Sequence, residues 1–291
     1  MIDGLVSGSL SPDMVGSFLD QGFLAIDRLI CAEEVAEIRA VLMRLHDTNA
    51  GFDEGAQFDA AGEADNLGVR RFPQILHPHV YAPELARTNY HRVGREIAKQ
   101  LLGPRARFKD DISFMKPPGV GSETPWHQDD AFGSPYVDHN EITIWLALTE
   151  TDTQNSCMSF IPGSNRLPVL EHRPMGNNPR VHALECLGGF NPNDAVECPL
   201  PAGGATIHTH RTLHYAGPNQ SDRCRIAYAL LFDTPGQPRV DARPFTWAKA
   251  VTDRAGRERD WMRRGGLLVY MWRQRHRLAT RFWVALRRSL R

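Results

Sequence analysis

The sequence predicts a mainly β domain with helices flanking one end, a sandwich or decorated jelly roll. Two observations carry that expectation. From Phe108 onward the chain breaks into short β-like runs, DISFMK, EITIWLAL, CMSFIPGS, ATIHTH and RIAYALLF, divided by Gly and Pro turns rather than by helices. Before Phe108 the apolar residues recur at helical spacing instead. At 291 residues the chain can bury one substantial core, and all-β domains of this size are commonly undivided. The expected organisation is a domain over residues 1–250 followed by a basic, amphipathic helical tail over residues 251–291.

In chain order, the stretch from Ser11 reads as a short helix, Phe23 to Ile26 as a brief strand, and the next segment as a helix with Val35, Ile38, Val41, Leu42 and Leu45 on one side. Glu33, Glu34 and Glu37 lie in its first turns, where the helix dipole favours negative charge. Residues 49–66 are rich in Gly, Asp and Ala and are expected to form a mobile loop. Pro83 then opens a helix that carries Leu85, Tyr90, Val93, Ile97 and Leu101 and stops at Gly103-Pro104. Between Asn165 and Pro201 lies a long Pro- and Gly-punctuated stretch with little periodicity, of the kind that forms functional lids or is disordered. His172, Arg173, Arg180 and Phe190 are its candidates for substrate contact.

The formal net charge is zero, but residues 251–291 hold 12 arginines against Asp253, Glu258 and Asp260, leaving 22 basic and 31 acidic residues in the first 250. An acidic body argues against nucleic acid as a partner. Five scattered cysteines, with no C-x-x-C pair and no secretory signal pattern at the start, favour a reducing, cytoplasmic setting. No run reaches the roughly 18 apolar residues a membrane-spanning helix needs.

The chemistry concentrates in TPWHQDDAFGSP, Thr124 to Pro135. In an extended segment residues i and i+2 point the same way, so His127 and Asp129 can converge on one ion while Gln128 turns aside. Asp130 and Phe132 become candidates for facing substrate. A third ligand must come from elsewhere, and GGATIHTHRTLHYAGPNQSDRCRIAYALLF offers His208, His210 and His214. Only His214 is followed by a Gly-Pro turn and then by a strand that begins with Arg225. His208 and His210 read as ordinary strand residues, one packed and one exposed, and Lys116 as a solvated strand end. Two imidazoles and one carboxylate on one face of an octahedral ion leave three open positions, an arrangement suited to non-heme Fe(II) oxygenases. A bidentate 2-oxo acid would take two of them and O2 the third. Its far carboxylate needs a forked cation, which Arg225 supplies, with Ala227 and Ala229 on the same strand face leaving room. Arg223 is the competing anchor.

The segments WHQDDAF, ITIWLALTETDTQNSCMSFIPGS and LHYAGPNQSDRCRIAY resemble the phytanoyl-CoA dioxygenase family of Fe(II)/2-oxoglutarate oxygenases, and FLDQGFLAIDRLICAEEVAEIRAVL is similar to that family's opening helix and strand. The likeness covers roughly residues 16–235. It implies a double-stranded β-helix, a cupin-like jelly roll, with His127, Asp129 and His214 as iron ligands and Arg225 paired with the C5 carboxylate of 2-oxoglutarate. It also implies that Trp145, eighteen residues after His127, packs near the cosubstrate, and that Gln74 contacts it. Because Asp129 stands where a halogenating relative would carry a small residue, hydroxylation with release of succinate and CO2 is implied. Three positions depart from the family pattern: Gly204 replaces Asp, Asn165 replaces His, and Ala216 replaces a Ser that often assists cosubstrate binding.

Two other readings use the same residues. A cupin-like Zn or Mn hydrolase or isomerase would employ the triad without needing Arg225, and a catalytically silent binding module would need neither. The substrate expected is a small molecule, such as an acyl thioester, a natural-product intermediate or a lipid-like compound. On a helical wheel Arg273, Arg277, Arg281, Arg287, Arg288 and Arg291 fall on one side, with Leu278, Phe282, Leu286 and Leu290 opposite. Residues 261–291 therefore suit a peripheral membrane surface or an acidic partner, or else pack their apolar face on the domain itself.

Overall fold

The computed structural model describes residues 8–62, 69–239, 242–249, 252–268 and 271. Helix α1 (Pro12–Gln21) starts where the Ser11 hydroxyl accepts from the Met14 amide, and it ends at Gly22, whose φ of 85° turns the chain into β1 (Phe23–Ile26). Then follow α2 (Ala32–Asp47), β2 (Gln57–Asp59), β3 (Pro73–Leu76), α3 (Pro78–Tyr81) and α4 (Asn89–Leu102). The remaining strands are β4 (Arg107–Lys116), β5 (Thr124–His127), β6 (Val137–Asp138), β7 (Glu141–Ala147), β8 (Met158–Phe160), β9 (His172–Pro174), β10 (Leu184–Cys186), β11 (Val196–Cys198), β12 (Ala205–Thr209), β13 (His214–Ala216), β14 (Arg225–Asp233) and β15 (Gln237–Pro238), and α5 (Asp253–Trp261) comes last.

Seven strands form one antiparallel sheet in the order β1-β12-β7-β14-β4-β3-β2, and four form a second in the order β11-β8-β13-β5. The two sheets pack face to face as a jelly roll, with Trp145, Ala147, Ala227 and Ala229 of the large sheet meeting Met158, Phe160 and Ala216 of the small one. Strand alternation gives the large sheet a second, largely apolar face. Ile142, Ile144 and Leu146 of β7 and Ile226, Tyr228, Leu230 and Phe232 of β14 point outward into a core shared with Phe18 of α1, Ile38 and Leu42 of α2 and Val93 and Ile97 of α4. Truncating one of these, such as Leu230→Ala, costs about 2–5 kcal/mol. Tyr90 pins α4 to the sheet backbone by donating to Ile144 O at 2.7 Å.

Three expectations change. Pro83 opens only a 3-10 turn, Pro83–Arg87; α4 starts six residues later because Thr88 caps it by accepting from the His91 amide. Within the predicted mobile loop, Gln57, Phe58 and Asp59 are buried as β2, paired with β3. Residues 165–201 are not an unstructured lid: β9 pairs with β10, and β11 joins the small sheet beside β8. The wheel positions from Arg273 to Arg291 lie outside the described residues. Earlier in that tail, α5 docks on the domain, where Arg257 donates to Phe52 O at 3.0 Å and to Gln57 O at 3.1 Å. Gly55, at φ 72°, makes this approach possible, since a Cβ there would fall 2.6 Å from Arg254 O. No helix among the described residues is long and apolar enough to cross a membrane.

Two histidines are buried against the outer face of the sheet as neutral rings. His46 approaches Ser113 Oγ at 3.0 Å and His91 approaches Tyr228 Oη at 3.1 Å. Burial pushes His46 down to about 4 and His91 to about 3 from the ordinary 6.5. A folded-state value below the unfolded one means that the stability is fully present above 6.5 and is lost as pH falls from there toward 4. Calorimetric melting temperatures should therefore drop steadily across that window, and His91→Asn should flatten the slope.

Candidate metal centre

Strand β5 ends at His127, Gln128 remains extended (φ −114°, ψ 131°), and Asp129 opens a short 3-10 turn, Asp129–Phe132. The i and i+2 side chains thus emerge on one side. Strand β13 lies antiparallel to β5 with His214 directly opposite His127, and the two rings are 4.1 Å apart between centroids. Asp129 Oδ1 lies 3.6 Å from His127 Nε2 and 3.5 Å from His214 Nε2. Ligand atoms of all three residues fall within 4.8 Å of one another, the spacing of donors that share one ion.

Hydrogen bonds prepare each donor. His127 Nδ1 donates to Pro125 O at 2.8 Å and His214 Nδ1 to Thr212 O at 2.9 Å, which leaves both Nε2 lone pairs facing the gap. Thr143 Oγ1 donates to Asp129 Oδ2 at 3.0 Å, so one carboxylate oxygen is held by protein and the other faces the imidazoles. Burial alone would raise Asp129, but His214, His127 and His208 outweigh it and hold its carboxyl well below the usual range. Burial, reinforced by His127, keeps His214 neutral by pushing it well down. These are the protonation states in which a carboxylate and an imidazole bind metal.

The centre opens into a cavity of about 510 Å³. At its inner end lies Arg225, 1% exposed, with its guanidinium 5.2 Å from the Trp145 ring. Its Nε donates to Ser156 O at 3.2 Å and its Nη2 to Ser156 Oγ at 3.1 Å, whereas Nη1 has no partner. Burial pushes Arg225 down to about 10. A buried guanidinium with a free N–H and no carboxylate partner among the described residues is a seat for an anion. Gln74 is buried on the same cavity wall, on β3 opposite Phe114. Arg223 lies outside the cavity, half-exposed and paired with Glu150 and Asp152.

Other expectations are corrected. Lys116 is not a solvated strand end: it is fully buried, and Nζ donates to Ser156 Oγ, Ala216 O and Gly217 O at 2.8, 3.0 and 2.7 Å. His208 and His210 are both buried, because residues two apart on β12 and just beyond it face the same interior. His208 points at the metal centre, with Nε2 3.6 Å from Asp129 Oδ2 and neither ring nitrogen hydrogen-bonded. Of the four residues expected to contact substrate from 165–201, none borders the cavity. His172 accepts from the Gln128 amide at 3.2 Å, Arg173 pairs with Glu185, Arg180 is exposed, and Phe190 packs on Trp126. The segment instead presents His182, which no periodicity marked, and α5 adds Arg254 and Glu258 to the wall. Phe132 does face the cavity, 45% exposed and edge-on to His127 at 5.9 Å.

Asp130 also borders the cavity, but its carboxylate is committed: both oxygens accept from Arg239 Nη2 at 2.9 Å, and Arg211 Nε reaches Oδ2 at 3.3 Å. Burial would raise it, yet His210 and Arg239 together hold it below the usual carboxylate range. Arg239→Met leaves this buried charge with only Arg211 and His210 beside it and should cost about 1.5–3 kcal/mol in denaturant unfolding, the range for a lost hydrogen bond to a charged group.

Comparison with known proteins places these residues in context. The family model described as phytanoyl-CoA dioxygenase matches residues 18–227. The chain is 31% identical over 211 residues to a probable alpha-ketoglutarate-dependent hypophosphite dioxygenase of Stutzerimonas stutzeri, a match covering 70% of this chain and 72% of the relative. It is 24% identical over 257 residues to a phytanoyl-CoA dioxygenase of Arabidopsis thaliana, covering 77% and 89%. Among solved structures, EvdO2 from Micromonospora carbonacea var. aurantiaca complexed with 2-oxoglutarate is similar at a TM-score of 0.71 and 30% identity, covering 82% of this chain and 97% of that one.

Proposed function

The chain belongs to the phytanoyl-CoA dioxygenase family, and on that premise we propose that it hydroxylates a carbon centre of a small molecule, with His127, Asp129 and His214 holding the iron and Arg225 the distal carboxylate of 2-oxoglutarate. It is an iron- and 2-oxoglutarate-dependent dioxygenase. One observation supports the assignment of residues above the rest: the triad and a buried guanidinium with an unpaired Nη1 border the same cavity. A hydrolase built on the triad would leave that guanidinium without a task.

The residues fit the group they would hold. Two Nε2 lone pairs and one carboxylate oxygen form a donor set that suits Fe(II) and leaves positions for other ligands. With Fe(II) and 2-oxoglutarate held there, O2 would be the oxidant, one of its oxygen atoms going to 2-oxoglutarate as it becomes succinate and CO2 and the other to the substrate carbon. The chain's own contribution is positioning. Thr143 fixes the Asp129 carboxylate so that Oδ1 faces the two imidazoles, and the carbonyls of Pro125 and Thr212 fix the ring tautomers. Trp145 packs across the Arg225 guanidinium and shields it from water, which strengthens its attraction for a carboxylate. Gln74 contributes an amide on the same wall.

On the open side, Phe132 stands edge-on to His127, and His182 lies 5.5 Å from Phe132. Burial pushes His182 down to about 3, so it meets substrate as a neutral ring. A substrate carbon beside this aromatic pair would lie next to the triad, which is what aiming a hydroxylation requires.

Anaerobic addition of 2-oxoglutarate to the Fe(II) protein should produce a visible charge-transfer band, and its absence at saturating cosubstrate would sink this reading. His214→Ala should weaken Mn(II) or Fe(II) binding by more than the roughly 10–100-fold that residues supporting a ligand contribute, with the melting temperature of the metal-free protein little changed. Incubation of the iron-loaded protein with a metabolite library, scored by substrate-stimulated succinate release, identifies the substrate.

A further inference from the structure

Ser156 occupies a backbone conformation that its residue type disfavours. Its φ is 84°, in the left-handed region, and it is 1% exposed. A non-glycine residue held there is strained and persists only where its surroundings over-determine it. The preceding turn does so: Asp152 Oδ1 accepts from the amides of Gln154 and Asn155, the Asn155 side chain accepts from the Asp152 amide, and the Cys157 amide donates to Asp152 O at 2.8 Å. Glycine would meet the same backbone demand without strain, so the hydroxyl needs its own explanation.

That hydroxyl lies between two buried basic side chains. It accepts from Lys116 Nζ at 2.8 Å and from Arg225 Nη2 at 3.1 Å, while the Ser156 carbonyl accepts from Arg225 Nε at 3.2 Å. Lys116 and Arg225 are direct cross-strand partners on β4 and β14. Lys116 Nζ is fully engaged by Ser156 Oγ, Ala216 O and Gly217 O, so Lys116 does not itself reach for a ligand. Its task is to hold Ser156 and the end of β13 in place. Among the described residues no other group hydrogen-bonds to the Arg225 side chain, so Ser156 fixes which of its N–H groups are spent, while Trp145 flanks the guanidinium, and Nη1 is left over. Ala216, nearby on β13, brings no hydroxyl to this region.

We infer that Ser156 is a positioning residue for the cosubstrate: clamped by Lys116, it orients Arg225 through two hydrogen bonds so that the free face of the guanidinium meets the distal carboxylate of 2-oxoglutarate. The inference rests on the reading of Arg225 given above. Strain at one serine is retained because the hydroxyl adds a second hydrogen bond to the one from its own carbonyl and so fixes Nη2 as well as Nε.

The test compares wild type with Ser156→Gly, which removes strain and hydroxyl together, Ser156→Ala, which removes only the hydroxyl, and Arg225→Met. For each, the melting temperature of the metal-free protein, the affinity for Mn(II), and the 2-oxoglutarate affinity of the Mn(II)-loaded protein by calorimetry are measured. Both serine variants should bind 2-oxoglutarate roughly tenfold or more weakly, as expected for a hydrogen bond to a charged group, with Mn(II) affinity unchanged. Ser156→Gly should melt no lower than Ser156→Ala. If both serine variants bind 2-oxoglutarate like wild type while Arg225→Met does not, the inference is overturned and the reading of Arg225 stands. Wild-type affinity in Arg225→Met overturns both. Should either serine variant fail to fold, the other decides.

Discussion

The antiparallel pairing of β5 with β13, which sets His127 opposite His214, is the constraint on which the site depends. Side chains alternate along a strand, so a slip of one residue would turn His214 away from the cavity and leave His127 with only Asp129. The same alternation operates in the large sheet. Thr143 and Trp145 share the inner face of β7, so one strand fixes the Asp129 carboxylate and, two residues on, walls the Arg225 guanidinium. The clustered triad and the buried guanidinium are held in mutual position by backbone ladders that end at the cavity.

A cavity lined by charge is costly to fold, and the opposite face of the large sheet offsets that cost. Each inward polar residue of β7 and β14 has apolar neighbours in sequence that point outward, and α1, α2 and α4 bury them. Arg225 has Ile226 beside it, and Thr143 lies between Ile142 and Ile144. The small residues Ala227 and Ala229 keep the interior open without weakening that outer core. Functional and stabilising surfaces thus lie on the same strands and remain separate, so the cavity can carry unpaired groups such as Arg225 Nη1 while the fold holds.

The jelly roll and the three clustered donors were legible because each leaves a local trace: short apolar runs between turns, a His-x-Asp step in an extended segment, and a second histidine followed by a turn and an arginine-led strand. What escaped was set by partners distant in sequence. Lys116 looks like any strand-end lysine until Ser156, forty residues later, and Ala216, a hundred residues later, supply its acceptors. His208 and His210 have no pattern separating packed from exposed, because β12 lies between two other strands and its inward face is sealed on both sides. The helix start was misplaced for a local reason: Pro83 is a competent first residue, but Thr88 caps better and the helix begins after it.

Gln128 joins the metal centre to the substrate side. The residue between two convergent ligands must turn away from the ion, and its side chain is therefore available for another task. It donates to Pro168 O and Arg211 O at 3.2 and 2.9 Å and accepts from the Leu170 amide at 2.8 Å, while its own amide donates to His172 Nε2. Every polar group of the Gln128 side chain thus binds backbone, and two of these three contacts are to the stretch that goes on to present His182 to the cavity. The loop that carries His127 and Asp129 also fixes the start of the stretch that borders the cavity at His182. The His127–Asp129 loop and the stretch that brings His182 to the cavity are consequently coupled through one glutamine, and among the described residues His172 is the one side chain beyond Leu170 that enters this coupling.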